Sequence, residues 1–398
     1  MNSGCESIDV TGAAVRSCEL PRPDTSVTRR ARTVVLCVLG VVFNAFLFGP
    51  SLKLTLHGVN DFMSDYSGTR LAFTGRMYNI AENLRVQREA AGWENINHLF
   101  MRPPFDALLM WPLGQLPYGT ATVAWSLLMV AAVALFCYLW PGDRRMAALA
   151  CCWSFPLFHV FANGQDIAFL LVAIAFTLRE VRRGREGVAG LIFSLCSIKF
   201  HLLLLVPVLI IGQRRWRFLG GLAAGGGGLF ALSFVPAGWD WPVRYLDLLR
   251  NPIGNPWPEA MPNLYGLTAG LAHGGAWLVA GSIAVAVLVG LICRRGSFET
   301  GLAAVLVGGI LVAPHAYLSD CAMAVPALLI TLPLVASGWA RNFHFYLMAP
   351  VSTIWGLVHP TWIVTVGMLA YLATMGMKME SDGVEVVNDP AARESADQ

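Results

Sequence analysis

Charged residues are scarce in this chain: they make up 13% of 398 residues, whereas a soluble domain carries about 25%. Hydrophobic residues make up 56%. Apolar blocks of about 20 residues recur, which is the length that crosses the ~30 Å hydrocarbon layer as a helix. Because backbone amides in lipid must be hydrogen-bonded internally, the blocks predict helices. They do not alternate apolar with polar residues, which excludes a transmembrane β-barrel. The predicted fold class is therefore an all-α polytopic membrane protein.

Several other features are missing. The nine cysteines contain no CxxC pair, so they are predicted to be small buried residues rather than metal ligands. A net charge of +3 is too small for a nucleic-acid surface. No strand precedes the glycine run at 225–228, which predicts close helix packing instead of a phosphate loop. Residues 1–27 lack the apolar core of a signal peptide. Residues 1–30 and 379–398 are predicted to be disordered cytoplasmic tails around one transmembrane domain, 31–378.

Basic clusters between the apolar blocks predict the topology. They lie at residues 29–32, 144–145, 179–185, 214–217 and 294–295, at Arg341 and at Lys378. If they face the cytoplasm, the first helix, residues 33–52, runs outward and residues 53–103 form a large first extracytoplasmic loop. Residues 104–140 must then cross an odd number of times, yet they form two apolar pieces divided at Pro117. The expected total is about ten to thirteen transmembrane helices.

Lys199 lies inside an apolar block, where an ionisable side chain is costly and frequently functional. No acidic residue is close to it in sequence. An ammonium without a partner is suited to an anionic ligand, and a phosphate is the obvious one. The alternative is a lysine that snorkels to the membrane surface. The surrounding segment, 187–212, is predicted to be two short pieces hinged near Lys199 and His201.

Asp61 and Asp65 stand one helical turn apart just after the first membrane helix, so in a helix they share a face. A carboxylate at the edge of an apolar site can have a raised pKa and act as a general base. Two carboxylates also suit a divalent cation held together with a substrate phosphate. A solvated loop is the third interpretation.

His315 follows a proline at the end of an apolar block, with Tyr317 and Asp320 close behind. Its imidazole is suited to phosphate binding or to proton transfer. Asn163 and Gln165 offer amide groups suited to a ligand rich in hydroxyls, or form a turn at a helix boundary. The predicted topology places all these segments, with the lysine and the two aspartates, on the outer side. Polar groups gathered at one membrane face predict a single site there.

An ordered set of motifs gives the chain a family resemblance. In chain order they are Asp61-Phe62 with Tyr66, Gly75-x-x-Tyr78, Arg102-Pro103-Pro104-Phe105, Trp111-Pro112-Leu113 with Trp125, Asn163-Gly164-Gln165, Ile198-Lys199 and Pro314-His315. Across residues 35–340 this set resembles glycosyltransferase family 87, bacterial enzymes of the glycosyltransferase C superfamily that use polyprenyl-phosphate sugars. The resemblance implies a glycosyltransferase C-type fold in the bacterial inner membrane, with the active site on the extracytoplasmic side.

The resemblance also implies roles for three residues. An aspartate of the first outer loop is the general base in this superfamily, which corresponds to Asp61. The family's lysine corresponds to Lys199, although Phe200 stands where a proline is common, and its late histidine corresponds to His315. Both are expected to bind the donor phosphate. A leaving phosphate that is already charged needs no general acid. One aspartate therefore suffices for an inverting displacement, and neither a metal nor another cofactor is expected.

The expected partners are a polyprenyl-phosphate-linked sugar donor, a lipid or glycan acceptor and membrane lipids, with no nucleic acid. The expected sugar is mannose, which the family resemblance implies. The further residues expected to contact substrate are Asp65, Tyr66, Arg102, Asn163, Gln165, His201, Asn263, Tyr317 and Asp320. Aromatic and polar side chains in the outer loops, such as Trp93, Trp257, Asn263 and Tyr265, are candidates for a sugar groove.

Two other functions use the same features. A membrane transporter or lipid flippase can line its pathway with ionisable residues such as Lys199, Asp166 and Asp320. Transporters often contain inverted repeats with matched broken helices, and no such self-similarity is visible in this sequence. A different lipid-linked transferase, such as an acyltransferase or a ligase, shares an outer-face site and differs in its product.

Overall fold

The computed structural model describes residues 25–56, 60–95, 98–251, 257–335, 338, 341–342, 344 and 361–388. The α-helices in this part are α1 (Thr25–Leu56), α2 (Phe62–Arg70), α3 (Ile80–Ala91), α4 (Pro104–Leu109), α5 (Trp111–Gly114), α6 (Tyr118–Leu139), α7 (Arg144–Trp153), α8 (Phe155–Asn163), α9 (Ile167–Arg182), α10 (Glu186–Phe193), α11 (Val206–Gly212), α12 (Trp216–Ala237), α13 (Trp241–Arg250), α14 (Leu264–Thr268), α15 (Gly274–Arg295), α16 (Phe298–Val312), α17 (Ala324–Thr331) and α18 (Trp362–Asn388). Four 3₁₀-helices accompany them: Ser194–Leu203, Pro258–Ala260, Leu318–Met323 and Leu332–Leu334.

Five helical segments in the described ranges are long and apolar enough to cross a membrane. They are Arg29–Phe48 within α1, α6, Glu186–Leu203, α12 and α15. The pair α7 and α8, bent by 64°, is a sixth if it forms one span, and Phe298–Val312, Leu318–Leu334 and Trp362–Gly376 are shorter apolar helices. Because side chains such as Val34, Val38 and Val42 are exposed along α1, these helices present apolar surface to lipid. The predicted all-α polytopic membrane class is confirmed.

The ends of the chain differ from the predicted tails. Helix α1 begins at Thr25 and α18 ends at Asn388, so residues 25–30 and 379–388 are helical. No proline or glycine lies between Thr25 and Leu39 to interrupt α1. The rest of both predicted tails, 1–24 and 389–398, and all of the expected helix 344–358 except residue 344, lie outside the described residues. The count of ten to thirteen helices stays a prediction.

Residues 104–140 contain one helix long enough to cross the membrane. Helices α4 and α5 have six and four residues, whereas α6 has 22. Prolines divide the segment: Pro103 precedes α4, Pro112 lies in the first turn of α5 and Pro117 precedes α6. Since proline fits the start of a helix but not its interior, short helices result. A single crossing satisfies the odd number that the basic clusters require.

Small residues bring α10 and α12 into close contact. A Cβ atom added to Gly221 would lie 1.8 Å from the Gly187 carbonyl oxygen, and one added to Gly190 would lie 2.0 Å from the Phe218 carbonyl oxygen. Close packing is the membrane use of such glycines. The predicted packing role of the run 225–228 holds for Gly225, whose added Cβ would lie 2.2 Å from Ser194 Oγ. It is wrong for the other three glycines of the run, which face open space.

We expect Gly221→Ala to lower the thermal midpoint of the purified protein by several degrees. The added methyl group must push α10 and α12 apart, and such overpacking costs about 1–3 kcal/mol. Gly220→Ala is the matched control, because nothing lies within 4 Å of its added Cβ. Equal midpoints for the two variants would show that the helices tolerate the separation.

The segment around Lys199 is broken, as predicted. Helix α10 continues into the 3₁₀-helix Ser194–Leu203, in which Lys199 has the non-helical angles φ −115° and ψ 54°. Helix α11 then begins at Val206 with a proline in its first turn. Non-helical backbone at membrane depth is tolerated where it is buried in protein or lines a cavity. Lys199 is buried, so the break lies inside the helix bundle.

Candidate active site

Asp61 caps the start of α2 and reaches three other parts of the chain. Its backbone N–H donates to the Asn163 carbonyl oxygen at 2.8 Å, which ties α2 to the end of α8. Its Oδ1 atom lies 2.9 Å from His98 Nε2, and its Oδ2 atom accepts a hydrogen bond from Gln165 Nε2. The side chain remains 33% exposed. Both carboxylate oxygens are therefore held while the group stays accessible.

The surroundings of Asp61 favour its ionised form. Burial alone raises the pKa of this carboxyl, but the hydrogen bond and charge of His98, the hydrogen bond from Gln165 and the charge of Lys199 together bring the pKa below its ordinary value. Asp61 is consequently a carboxylate at neutral pH. The sequence suggested a raised pKa for the general base, and for Asp61 that expectation is wrong.

Gln165 connects Asp61 to Lys199. Its Nε2 atom donates to Asp61, while its Oε1 atom accepts from Lys199 Nζ at 2.6 Å. The side chain stands in the turn between α8 and α9, where Gly164 has a φ of 67°. That angle suits glycine, and an added Cβ would lie 2.8 Å from Phe62 Cβ. The structure thus brings together the two residues that sequence analysis placed at the centre of the site.

Lys199 has an acidic partner, contrary to the sequence-based prediction. Its Nζ atom lies 2.7 Å from Asp320 Oδ1 and 3.8 Å from Asp166 Oδ1. The side chain is 8% exposed, so it does not snorkel to the membrane surface. Asp320 is 121 positions away in sequence, which is why a search of neighbouring residues finds no counter-charge.

Arg102 holds three carboxylates at the centre of the bundle. Its Nε atom lies 2.6 Å from Asp65 Oδ1 and 3.7 Å from Asp106 Oδ2, and its Nη1 atom donates to Asp166 Oδ2. Because Asp166 also lies near Lys199, the ion pairs form one continuous network from α2 to the 3₁₀-helix Leu318–Met323. This network joins α2 and residues 102–106 to the break at Lys199.

Asp65 is buried within that network, with no exposed side-chain surface. Burial raises the pKa of its carboxyl to about 7; Arg102 opposes the rise, whereas the negative charges of Asp166 and Asp61 add to it. The two aspartates that sequence analysis paired therefore have opposite environments. Asp61 is accessible and ionised, while Asp65 lies behind Arg102 and takes up a proton readily.

We expect Asp65→Asn to make the stability of the folded protein less dependent on pH, with a smaller loss of stability as the pH rises. A carboxyl whose pKa rises on folding from 3.8 to about 7 stabilises the folded state at low pH. That contribution is lost as the pH rises from the lower value to the higher one. Between pH 5 and pH 8, the thermal midpoint of the asparagine variant should change less with pH than that of the parent protein. Parallel curves would mean that Asp65 ionises as it does in an unfolded chain.

His201 and His315 lie within electrostatic range of Lys199, and Tyr317 directly precedes the 3₁₀-helix that carries Asp320. The His201 ring is 5.8 Å from the His315 ring, which is 4.8 Å from the Tyr317 ring. His201 Nε2 is buried without a hydrogen-bond partner in the described part of the chain. Tyr317 accepts a hydrogen bond from the Trp257 backbone N–H at 3.1 Å. Of these side chains, His315 is exposed.

Two predicted substrate contacts hold the fold instead of lining the site. The Tyr66 hydroxyl donates to the Leu116 carbonyl oxygen at 2.9 Å, and its ring packs on Tyr118. Asn263 is fully buried, donates to the Ala313 carbonyl oxygen at 2.9 Å and caps α14. Both side chains are bonded to other parts of the protein, and both are buried, with Tyr66 5% exposed and Asn263 0% exposed.

Sequence analysis missed His98 and Asp106. His98 lies beside Asp61, and its sequence signal is that it belongs to the polar segment predicted to be an outer loop. Asp106 follows Arg102 at i+4, a spacing that predicts an ion pair on a helix, although two prolines between them obscure the pattern.

The metal-ligand interpretation of Asp61 and Asp65 finds no support in the geometry. Each carboxylate is bonded to a different part of the protein. Within the described ranges, no group of three or more His, Cys, Asp or Glu side chains is arranged to hold a metal ion.

The comparisons with known proteins identify the family of the chain. The model of glycosyltransferase family 87 matches residues 100–319, more than half of the chain. The chain is also 24% identical over 313 residues to a polyprenol-phosphate-mannose-dependent alpha-(1-2)-phosphatidylinositol pentamannoside mannosyltransferase of Mycolicibacterium smegmatis, an alignment that covers 69% of this chain and 75% of the relative. No solved structure matches significantly. The chain belongs to glycosyltransferase family 87 and is an all-α, multi-pass membrane glycosyltransferase.

Proposed function

We propose that the chain transfers a mannosyl group from a polyprenyl-phosphate donor to a hydroxyl group of a glycolipid acceptor, at the outer face of the membrane. The name of the mycobacterial relative supports this donor, and it suggests a glycolipid acceptor. The observation that carries the proposal is the chain of hydrogen bonds from Asp61 through Gln165 to Lys199. It supports the proposal because a carboxylate suited to accept a proton and a cation suited to bind a phosphate are bonded to the same glutamine side chain.

Asp61 is the general base in this proposal. The ionised carboxylate takes the proton of the acceptor hydroxyl as the hydroxyl oxygen attacks the anomeric carbon of the donor sugar. The bond from that carbon to the phosphate oxygen breaks, and polyprenyl phosphate leaves with the electron pair. Attack and departure occur on opposite sides of one carbon, so the configuration inverts. The proton remains on Asp61 until it is released through its exposed surface.

Lys199 stabilises the charge of the leaving phosphate in this proposal. A lysine ammonium has three N–H donors, and two of those of Lys199 bond to Gln165 and Asp320. The third is available to a donor phosphate. The rings of His201 and His315 contact each other within electrostatic range of the ammonium, and their nitrogens are suited to the remaining phosphate oxygens. No general acid is required, because the departing oxygen belongs to a phosphate.

Proteoliposomes that contain the full chain test this function. With labelled polyprenyl-phosphate mannose and a phosphatidylinositol mannoside acceptor, we expect a labelled glycolipid with one more hexose by mass spectrometry. A polyprenyl-phosphate pentose donor is the matched control and should give little product. Passage of the labelled donor across the bilayer without glycoside formation would instead support a lipid flippase, and transfer of an acyl group would support another transferase class.

A further inference from the structure

The feature that the proposed mechanism leaves unexplained is His98. This residue belongs to the first outer loop, yet its Nε2 atom lies 2.9 Å from Asp61 Oδ1. A carboxylate only accepts hydrogen bonds, so the histidine is the donor. On the other side, Gln165 donates to Oδ2. The two oxygens of Asp61 are therefore held from two directions, one by the outer loop and one by the membrane bundle.

The backbone around His98 is fastened at several points. Gln87, on α3, donates from Nε2 to the His98 carbonyl oxygen at 3.0 Å and accepts from the Asn95 backbone N–H at 2.9 Å. Ser64, on α2, donates to the Leu99 carbonyl oxygen at 2.8 Å. Gln87 is fully buried. Helices α2 and α3 thus fix the position from which the imidazole extends.

The ring of His98 is also oriented. It packs edge-on against Trp93, with ring centroids 5.3 Å apart. Its Nδ1 atom is buried and has no hydrogen-bond partner in the described part of the chain. Among these residues, Asp61 is consequently the group that uses the polar edge of the ring. A histidine needed for packing alone would not have to direct Nε2 at the one accessible carboxylate of the site.

We propose that His98 is a positioning residue that holds the Asp61 carboxylate in its reactive orientation and favours its ionised form. This inference rests on the proposed role of Asp61 as the general base. Of the influences that lower the pKa of Asp61 against burial, the hydrogen bond from His98 is the largest. Loss of that bond should make Asp61 harder to ionise, so activity should disappear at a higher pH as the solution is acidified.

Other titratable groups around Asp61 stay the same in such an experiment. They come from every element packed on it: Lys199, His159, Asp65, Arg102, His315 and Tyr317. A difference in the acid limb of the pH profile between the parent protein and a variant at position 98 is therefore due to the loss of His98.

The test is the pH dependence of kcat/KM for mannosyl transfer by the full chain in proteoliposomes, from pH 3 to pH 8. For His98→Ala we expect the acid limb to move upward by about one pH unit or more, which means roughly tenfold less activity than the parent on that limb beyond any loss at pH 8. His98→Gln, whose Nε2 atom has a reach similar to that of the ring, should keep the parent's acid limb. His98→Asn, whose amide is too short, should behave like the alanine variant.

Two outcomes are distinguished by this design. A uniform loss of activity in His98→Ala and His98→Asn, with the acid limb unmoved, would overturn the positioning role and leave Asp61 as the base. Normal turnover by Asp61→Asn would overturn the proposed role of Asp61 as the general base, on which this inference rests. If His98→Ala fails to fold, the comparison of the glutamine and asparagine variants, which differ by one methylene group, decides the question.

Discussion

Asp61→Asn should lower kcat for glycosyl transfer by roughly 10³-fold while the thermal midpoint changes little. General-base catalysis contributes about 10²–10⁴-fold, and asparagine has the shape of aspartate but cannot take up the proton. The side chain is partly exposed, so the fold does not depend on its charge. The measurement is single-turnover transfer by the full chain in proteoliposomes, with donor binding measured separately.

Asp65→Asn is the matched control for that experiment. The residue stands one turn further along α2, but it is fully buried against Arg102. We expect its activity to remain within about tenfold of the parent, because asparagine has the shape of aspartate and keeps an acceptor oxygen that can face the guanidinium. If Asp61→Asn stays active and Asp65→Asn is inactive, the base has been assigned to the wrong carboxylate.

Lys199→Met should weaken donor binding and also destabilise the protein. The substitution leaves Asp320 buried without its ammonium partner, and an uncompensated buried charge costs about 3–5 kcal/mol. It also removes the donor of a charge-assisted hydrogen bond to the phosphate, worth about 1.5–3 kcal/mol. A single variant therefore mixes two effects.

A double variant separates these effects. In Lys199→Met with Asp320→Asn, the buried charge is gone, and we expect the thermal midpoint to recover most of its loss. Donor affinity should remain reduced by about 10–100-fold, measured by binding of polyprenyl phosphate to protein in detergent. Normal donor affinity in the double variant would make Lys199 a structural residue whose partner is Asp320 alone.

The sequence predicted the membrane class and the approach of Asp61 to Lys199. Composition and the recurrence of apolar blocks are sufficient to recognise spanning helices such as α6 and α15, because lipid leaves the backbone no alternative. The break at Lys199 was predictable, since a lysine and a histidine interrupt an apolar block. The approach of Asp61 to Lys199 followed from their common membrane face in the predicted topology.

The pairing of charges was not predictable. Lys199 meets Asp320 from 121 positions away, and Gln165 meets Asp61 from 104 positions away. Such pairs depend on how the helices pack, which hydrophobic patterning does not specify. The missed pairing changes the account of Lys199: the sequence predicted an ammonium without an acidic partner, whereas Lys199 is paired with Asp320. The donor phosphate must therefore share an ammonium that is engaged with Gln165 and Asp320.

The opposite protonation behaviour of Asp61 and Asp65 could not be predicted from the sequence either. Four residues apart on one segment, they look equivalent in the sequence. Packing places one beside His98 and Gln165 and the other behind Arg102 with two further carboxylates. Solvent access and the number of neighbouring charges decide which carboxyl is ionised, and both are properties of the folded bundle.

A structure of the full chain with a non-transferable phosphonate analogue of the donor tests the central claim most directly. The phosphonate should lie about 3 Å from Lys199 Nζ, between that atom and His315, with the anomeric carbon of the sugar directed toward Asp61. An analogue bound elsewhere, with its sugar remote from the carboxylate, would contradict the account.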